Sequence, residues 1–423
     1  MTKPLRVTAV GASGQLGGTE RVLLDLASHA TDVDLQLRVV LPKHGPLIAA
    51  LRECGVPAEV VDAPASLLRS SQQPGHLWSA APALLGLYRW ARRLEQHEFV
   101  SEADLVYTIS YKTHLAAAMA GLKPVVWHLH EFPPASTGRI WRFMANRSPH
   151  HMIANSVAAA DAWRSSATVP TDRITVVHNG VDLNRFSPRP ATKWIHDALG
   201  IPHERRLIGM PAVLARWKGQ LEVEEAFGMI ENDFPNVDLV FVGGAIYDTV
   251  AEREYGWELE RLVKREEGGG RREEGLKGER GAGSRERAAL LHRVHLLPFQ
   301  EEIERVYPEF DVTVHYSLRP EAFGKVIVES MACGVPVIAA DEGGPREILG
   351  SKPEGGWLVE PRDPLALAAA MREALRHDTG GLRKIGNRGR ERVEEAFSST
   401  RFAAELASVF RRVCSTARAG PAR

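Results

Sequence analysis

Cysteine is nearly absent from this 423-residue chain: Cys54, Cys333 and Cys414 are far apart and odd in number. That spacing builds neither a disulfide framework nor a thiolate metal site, and it suits reduced thiols packed as small apolar groups in a cytoplasmic protein. An excess of either charge is also missing, with 53 Lys plus Arg against 53 Asp plus Glu, so no global field draws the chain to nucleic acid or an acidic membrane. Any cationic site has to be local. No apolar run approaches the ~20 residues of a membrane-crossing helix. The first residues run directly into a short strand pattern without the apolar core of a signal peptide. No group of His, Cys, Asp or Glu has metal-ligand spacing. Asp32 and Asp34 bracket Val33 between a helix pattern and a strand pattern, where a solvated turn is expected.

What the chain does have is 44% hydrophobic and 25% charged residues, enough length and apolar content for two or three domains. Short β-rich runs at 5–10, 35–41, 58–61, 105–110, 125–130, 152–155 and 174–178 alternate with helical patterns such as 20–29 and 46–54. A second series follows at 208–214, 239–242, 294–297, 312–316 and 335–339. Strand and helix in turn are the pattern of parallel α/β sheets. The reading is two Rossmann-like domains, 1–188 and 189–395, then a helix and tail over 396–423. Residues 261–287, rich in Gly, Arg, Glu and Lys, are expected to form a mobile surface insertion.

The most informative stretch is 311–347. A strand pattern ends near Tyr316, a polar loop with Pro320 carries Glu321, and a helix pattern from Lys325 carries Glu329 until Gly334 and Pro336 stop it. In open α/β sheets ligands bind outside the carboxyl ends of strands, where two carboxylates can accept hydrogen bonds from a polyhydroxylated ligand. The backbone N–H groups of Phe323, Gly324 and Lys325 fall at a helix N-terminus, which favours a phosphate. Gly324 lets a ligand come close to the main chain. The segment resembles the E-x7-E signature of the retaining glycosyltransferases of family 4, also called glycosyltransferase group 1. The likeness extends through Phe323-Gly324, 332–336 and 343–347 and, outside 261–287, over nearly the whole chain.

That resemblance implies the GT-B fold: two Rossmann-like domains facing a cleft, with the C-terminal helix crossing back to the N-terminal domain. It implies that Glu321 holds donor-sugar hydroxyls and Glu329 the ribose of a nucleoside diphosphate sugar. Lys218, in the run 215–220 after the first strand of the second half, is similar to the family's diphosphate-binding lysine. The arginine slot that precedes that lysine in the family holds Val213 here, and Arg216 lies nearer the lysine than the pattern has it. Two cations two positions apart beside Gly219 could reach two phosphates, and a solvated basic turn is the plainer alternative. Gly17-Gly18, followed by Glu20 and Arg21, resembles the family's loop at the acceptor or transferred group, and His130 matches a histidine beside the reacting sugar. Asn179-Gly-Val-Asp182 resembles its hinge signature.

The activity this implies is metal-independent transfer of a sugar to a carbohydrate, lipid-linked or small-molecule hydroxyl, with retention and with the nucleotide sugar as co-substrate rather than a cofactor. A covalent intermediate on Glu321 is chemically open; a same-face substitution assisted by donor phosphate is preferred. Two other readings remain. Gly11, Gly14 and Gly17 have the spacing of the nucleotide loop of short-chain NAD(P)-dependent reductases, although that family's Tyr-x-x-x-Lys pair is missing. A catalytically silent sugar-nucleotide-binding protein would keep the same acids. Finally, 77–94 places Trp78, Leu84, Leu87, Tyr88 and Trp90 among Arg89, Arg92 and Arg93. Such a helix could lie peripherally on the inner membrane face or simply pack on the first sheet.

Overall fold

The computed structural model describes residues 3–64, 81–133, 138–167, 169–244, 250–264, 293–352 and 354–419. The chain divides into two compact units, residues 1–182 with 397–423, and residues 183–396. The first holds a seven-stranded sheet in the order β3-β2-β1-β4-β5-β6-β7, the second a six-stranded sheet in the order β10-β9-β8-β11-β12-β13. All pairings within the two sheets are parallel. In the first sheet β1 is Leu5–Val10, β2 Leu35–Leu41, β3 Ala58–Val60, β4 Leu105–Thr108, β5 Val125–Leu129, β6 His151–Ala154 and β7 Ile174–Val176. In the second, β8 is Arg206–Pro211, β9 Val237–Val242, β10 Val294–Leu297, β11 Val312–His315, β12 Val337–Ala340 and β13 Gly356–Val359.

Interior strands such as Val237–Val242 and Val312–His315 are buried along their whole length. Helices cover parallel sheets on both sides, so such strands read as continuous apolar runs rather than alternating ones. Local chemistry starts the covering helices. Ser110 forms a reciprocal capping box with Thr113 on the helix Tyr111–Met119, and Asp363 accepts from the Leu365 and Ala366 amides ahead of Pro364–Arg376. These caps satisfy N–H groups that the first helical turn leaves without partners.

The last helix, Ser399–Ala419, belongs to the first unit. Phe402, Leu406, Phe410 and Val413 are buried in one core with Val22, Leu26, Val39 and Tyr107. The helix expected from residue 396 starts three residues later. Ala396 instead closes Thr379–Ala396, and Ser398 bridges to Val181.

The expected insertion at 261–287 is corrected at its start. The helix Val250–Lys264 runs through 261–264 because Tyr255 and Leu259, one turn apart, seat it against Leu214; residues 265–287 lie outside the described residues. The 77–94 helix is found as Ala81–Gln96, with 77–80 outside the described residues. Leu87, Trp90, Ala91 and Leu94 are buried, and the Trp90 indole donates to the Val61 carbonyl at 2.7 Å. No helix among the described residues is long and apolar enough to cross a membrane.

Candidate active site

In the second unit β8, β11 and β12 lie side by side, so the loops leaving their carboxyl ends meet. They are the turn Arg216–Gly219, the loop 317–324 and the turn 341–344. Main-chain contacts lock them. The Leu318 amide donates to the Trp217 carbonyl at 2.7 Å. Gly219 has φ 80° and sits where an added Cβ would lie 2.3 Å from the Tyr316 carbonyl. Glu321 pairs with Gly343 as an isolated parallel bridge, and the Gly344 amide donates to the Glu321 carbonyl at 2.9 Å. Gly343 has φ 78°, and a Cβ there would meet the Glu321 carbonyl at 2.3 Å. Glycine is thus required twice over, for its backbone region and for the close approach. The Gly343-Gly344 pair holds the acidic loop in place.

This arrangement brings Lys218 to Glu321. Lys218 Nζ lies 2.8 Å from Oε2 and 3.1 Å from Oε1, the Ser317 hydroxyl donates to Oε2 at 2.6 Å, and His315 Nε2 is 3.4 Å away. The lysine also lies 4.1 Å from the centre of the Trp217 ring. Burial alone would raise the Glu321 carboxyl. The Lys218 charge and its two hydrogen bonds, with the His315 ring beside them, outweigh it and hold the group well below its usual 4.5. Glu321 is therefore an anion fixed at the mouth of a loop, and Lys218 is a nearly buried cation with donor capacity beyond its carboxylate bonds.

Immediately downstream, Gly324 has φ 113° and caps the eight-residue helix Lys325–Ala332 without a side-chain hydrogen bond. Phe323 is buried and Lys325 half-buried. Glu329, one turn into that helix, is 5% exposed and accepts from the Tyr307 hydroxyl at 2.7 Å through Oε2. Its bonding partner is thus distinct from those of Glu321. Arg216 turns elsewhere: its guanidinium pairs with Glu258 and lies 5.3 Å from the centre of the Tyr255 ring. Sequence spacing gives no signal for Tyr307, 22 residues before Glu329, or for His315. Ser317, four residues before Glu321, was within reach of a local reading.

In the first unit Gly17 caps the helix Gly18–Ala27, and nothing lies within 4 Å of where a Gly18 Cβ would sit. The glycine-rich loop is tethered by Glu20, buried at 3%, which accepts from the Ser13 hydroxyl at 2.8 Å. Gly14 and Gly45 approach so closely that a Cβ on Gly45 would lie 2.1 Å from the Gly14 carbonyl. His130 follows β5, half-buried, its ring 4.0 Å from that of His128. His128 is fully buried, bonds the Tyr107 hydroxyl through Nδ1, and is held neutral, first by burial and then by the neighbouring His130 and His114. Asp32 pairs with His29 and Asp34 takes φ 53° between the first helix and β2, a turn as expected. Among the described residues no group of three or more His, Cys, Asp or Glu is placed to hold a metal ion.

Residues 192–392 match the family described as glycosyl transferases group 1, and residues 16–185 match glycosyltransferase family 4. The D-inositol 3-phosphate glycosyltransferase of Xylanimonas cellulosilytica is 26% identical over 394 residues, covering 86% of this chain and 85% of that protein. EpsD of Bacillus subtilis is 28% identical over 248 residues, 57% of this chain and 55% of EpsD, so that match spans about half of its length. Among solved structures, Anabaena Alr3699/HepE in complex with UDP and glucose superposes with a TM-score of 0.75 at 26% identity, covering 96% of this chain and 99% of that one. The sucrose-phosphate synthase of Thermosynechococcus elongatus shares the fold, with a TM-score of 0.72 at 18% identity over 97% of this chain and 100% of its own. None of these likenesses supports the reductase reading of the Gly11–Gly17 loop or a silent binding protein. Matched in both units and sharing the GT-B architecture of these neighbours, the chain belongs to the group 1, family 4 glycosyltransferases.

Proposed function

We propose that the protein transfers a hexose from a UDP-sugar to an acceptor hydroxyl with retention of configuration and without a metal ion. The observation that carries the reading is the Lys218–Glu321 pair beside the helix start at Gly324. A fixed anion accepts hydrogen bonds from the sugar hydroxyls, and a cation and the helix N-terminus meet the diphosphate. As the glycosidic bond breaks, charge develops on the leaving diphosphate. Lys218 and the Phe323–Lys325 amides are preorganised to stabilise it. Glu329 accepts from the ribose, and the donor phosphate takes the acceptor proton on the face the nucleotide leaves. Gly17, Gly18 and His130, at the carboxyl ends of β1 and β5, serve the acceptor side. Arg216, engaged by Glu258, is assigned no direct diphosphate contact. The UDP and glucose in the Anabaena relative support a uridine donor.

A lipid-surface contact is the second part of the proposal. Leu85 and Tyr88 are 48% and 47% exposed on the outer side of Ala81–Gln96, where they line a surface hollow with Arg89, Arg92 and Arg93. Apolar and cationic groups on one helix stripe suit an anionic bilayer. Co-sedimentation with anionic against neutral vesicles tests this part separately.

For the reaction, UDP-, GDP- and ADP-sugars are incubated with sugar, sugar-phosphate and lipid-linked acceptors, and released nucleoside diphosphate is measured with the product's anomeric configuration. A product with the donor's configuration formed in the presence of chelator supports the reading. Inversion, or chelator-sensitive turnover, overturns it.

A further inference from the structure

We infer that Tyr307 is a positioning residue for the nucleotide, acting through Glu329. The inference rests on the reading above, in which Glu329 meets the ribose. Tyr307 is fully buried in the one-turn helix Tyr307–Glu309, and its hydroxyl donates to Glu329 Oε2 at 2.7 Å. An O–H to carboxylate bond of this kind is charge-assisted and directional, so it fixes the carboxylate plane and leaves Oε1 for a ligand hydroxyl.

The phenol is itself held on both sides. Its ring meets Phe186 edge-on at 6.0 Å between centroids. Two residues later Glu309 accepts from both the Thr192 amide and hydroxyl, at 2.7 and 2.9 Å. Phe186 is fixed in turn, since Arg390 donates to its carbonyl and to that of Ala332, the last residue of the Glu329 helix, at 2.7 Å each. The acid, its helix and the tyrosine that aims the acid therefore share one frame. In a site of this precision a side chain must be held within about half an ångström of its productive position. A carboxylate freed from its phenol would divide its time among rotamers, and the nucleotide would lose affinity without any loss at the reacting sugar.

Tyr307→Phe keeps the ring and its packing and deletes only the hydroxyl. Calorimetric titration with UDP, with GDP and ADP in parallel, is compared with titration by 2′-deoxy-UDP and 3′-deoxy-UDP for the wild type, Tyr307→Phe, Glu329→Gln and the double variant. The expected result is about a tenfold loss of UDP affinity in Tyr307→Phe, which disappears for the deoxy nucleotide lacking the hydroxyl that Glu329 holds. KM for the donor should rise while kcat at saturating donor changes less than about twofold. The double variant, which leaves no buried acid without its partner, should bind UDP like Glu329→Gln alone.

Equal losses for UDP and both deoxy nucleotides, or no loss in Tyr307→Phe, would overturn the assignment. So would a further loss in the double variant beyond Glu329→Gln. Unchanged UDP affinity in Glu329→Gln would instead fall on the ribose reading itself, and failure of all three nucleotides to bind would fall on the donor reading.

Discussion

Lys218→Met deletes one ammonium group and keeps most of the side-chain volume, which makes it the sharpest perturbation of the site. In the wild type Nζ lies 2.8 and 3.1 Å from the two oxygens of Glu321, with side-chain exposures of 11% and 20%. Removing one partner of a buried pair costs about 3–5 kcal/mol because the other charge stays behind unpaired. The residual exposure and the Ser317 and His315 contacts reduce this to about 2–3 kcal/mol. For a unit spanning residues 183–396, each kcal/mol moves Tm by about 2–4 °C, so a fall of roughly 5–10 °C is expected near pH 7.

The pH dependence gives the mechanism away. The folded-state pKa of Glu321 is depressed, so the stability it contributes is fully present above its unfolded value near 4.5 and is lost as pH falls through the folded value. In Lys218→Met protonation of Glu321 relieves an unpaired anion, so the gap between wild type and variant should narrow from pH 5 downward. Lys218→Met/Glu321→Gln leaves no unpaired charge and should recover most of the lost stability near pH 7. Differential scanning calorimetry between pH 3 and 8 reads all of this. A pH-independent shift, or a double variant less stable than Lys218→Met, would refute the reasoning.

Glu321→Ala should lower kcat/KM by about 10- to 100-fold, the weight of hydrogen bonds to a charged group, in a protein that still unfolds cooperatively; near-wild-type transfer would remove Glu321 from the site. Gly343→Ala forces a Cβ to within 2.3 Å of the Glu321 carbonyl at φ 78°; a stability loss of about 1–3 kcal/mol together with weaker donor binding is expected by denaturant titration and calorimetry. Arg216→Ala breaks an exposed pair with Glu258 and a contact with the Tyr255 ring and should change stability by less than about 1 kcal/mol, with donor affinity within about twofold by titration. Phe402→Ala should cost about 3–5 kcal/mol, read by urea unfolding, because its ring is 1% exposed in the first unit's core.

Much of the fold was legible because parallel strands buried on both sides are short apolar runs. Leu5–Val10, Leu35–Leu41 and Val294–Leu297 lie where their residues alone place them. Gly356–Val359 escaped: four residues at a sheet edge, with Trp357 and Leu358 only half-buried, carry too little periodicity. Helix starts shifted where the signal is tertiary, as at Ser399, set by the Val181–Ser398 bridge. The site residues were visible as a motif, but their couplings were not. That Lys218 bonds Glu321 depends on three neighbouring strands bringing their loops together across 103 residues of sequence. That Arg216 turns to Glu258 depends on where the helix Val250–Lys264 packs. Spacing within a segment cannot encode contacts decided by the order of strands in a sheet.

The central claim is that Glu321, held by Lys218, Ser317 and His315, grips the donor sugar. A crystal structure of the protein with an intact UDP-sugar tests it most directly. The account predicts a sugar hydroxyl within about 3 Å of a Glu321 oxygen, the diphosphate against Lys218 and the amides at Gly324, and the ribose on Glu329. A donor bound away from these residues, with Glu321 still closed on Lys218 and touching no ligand atom, would contradict it.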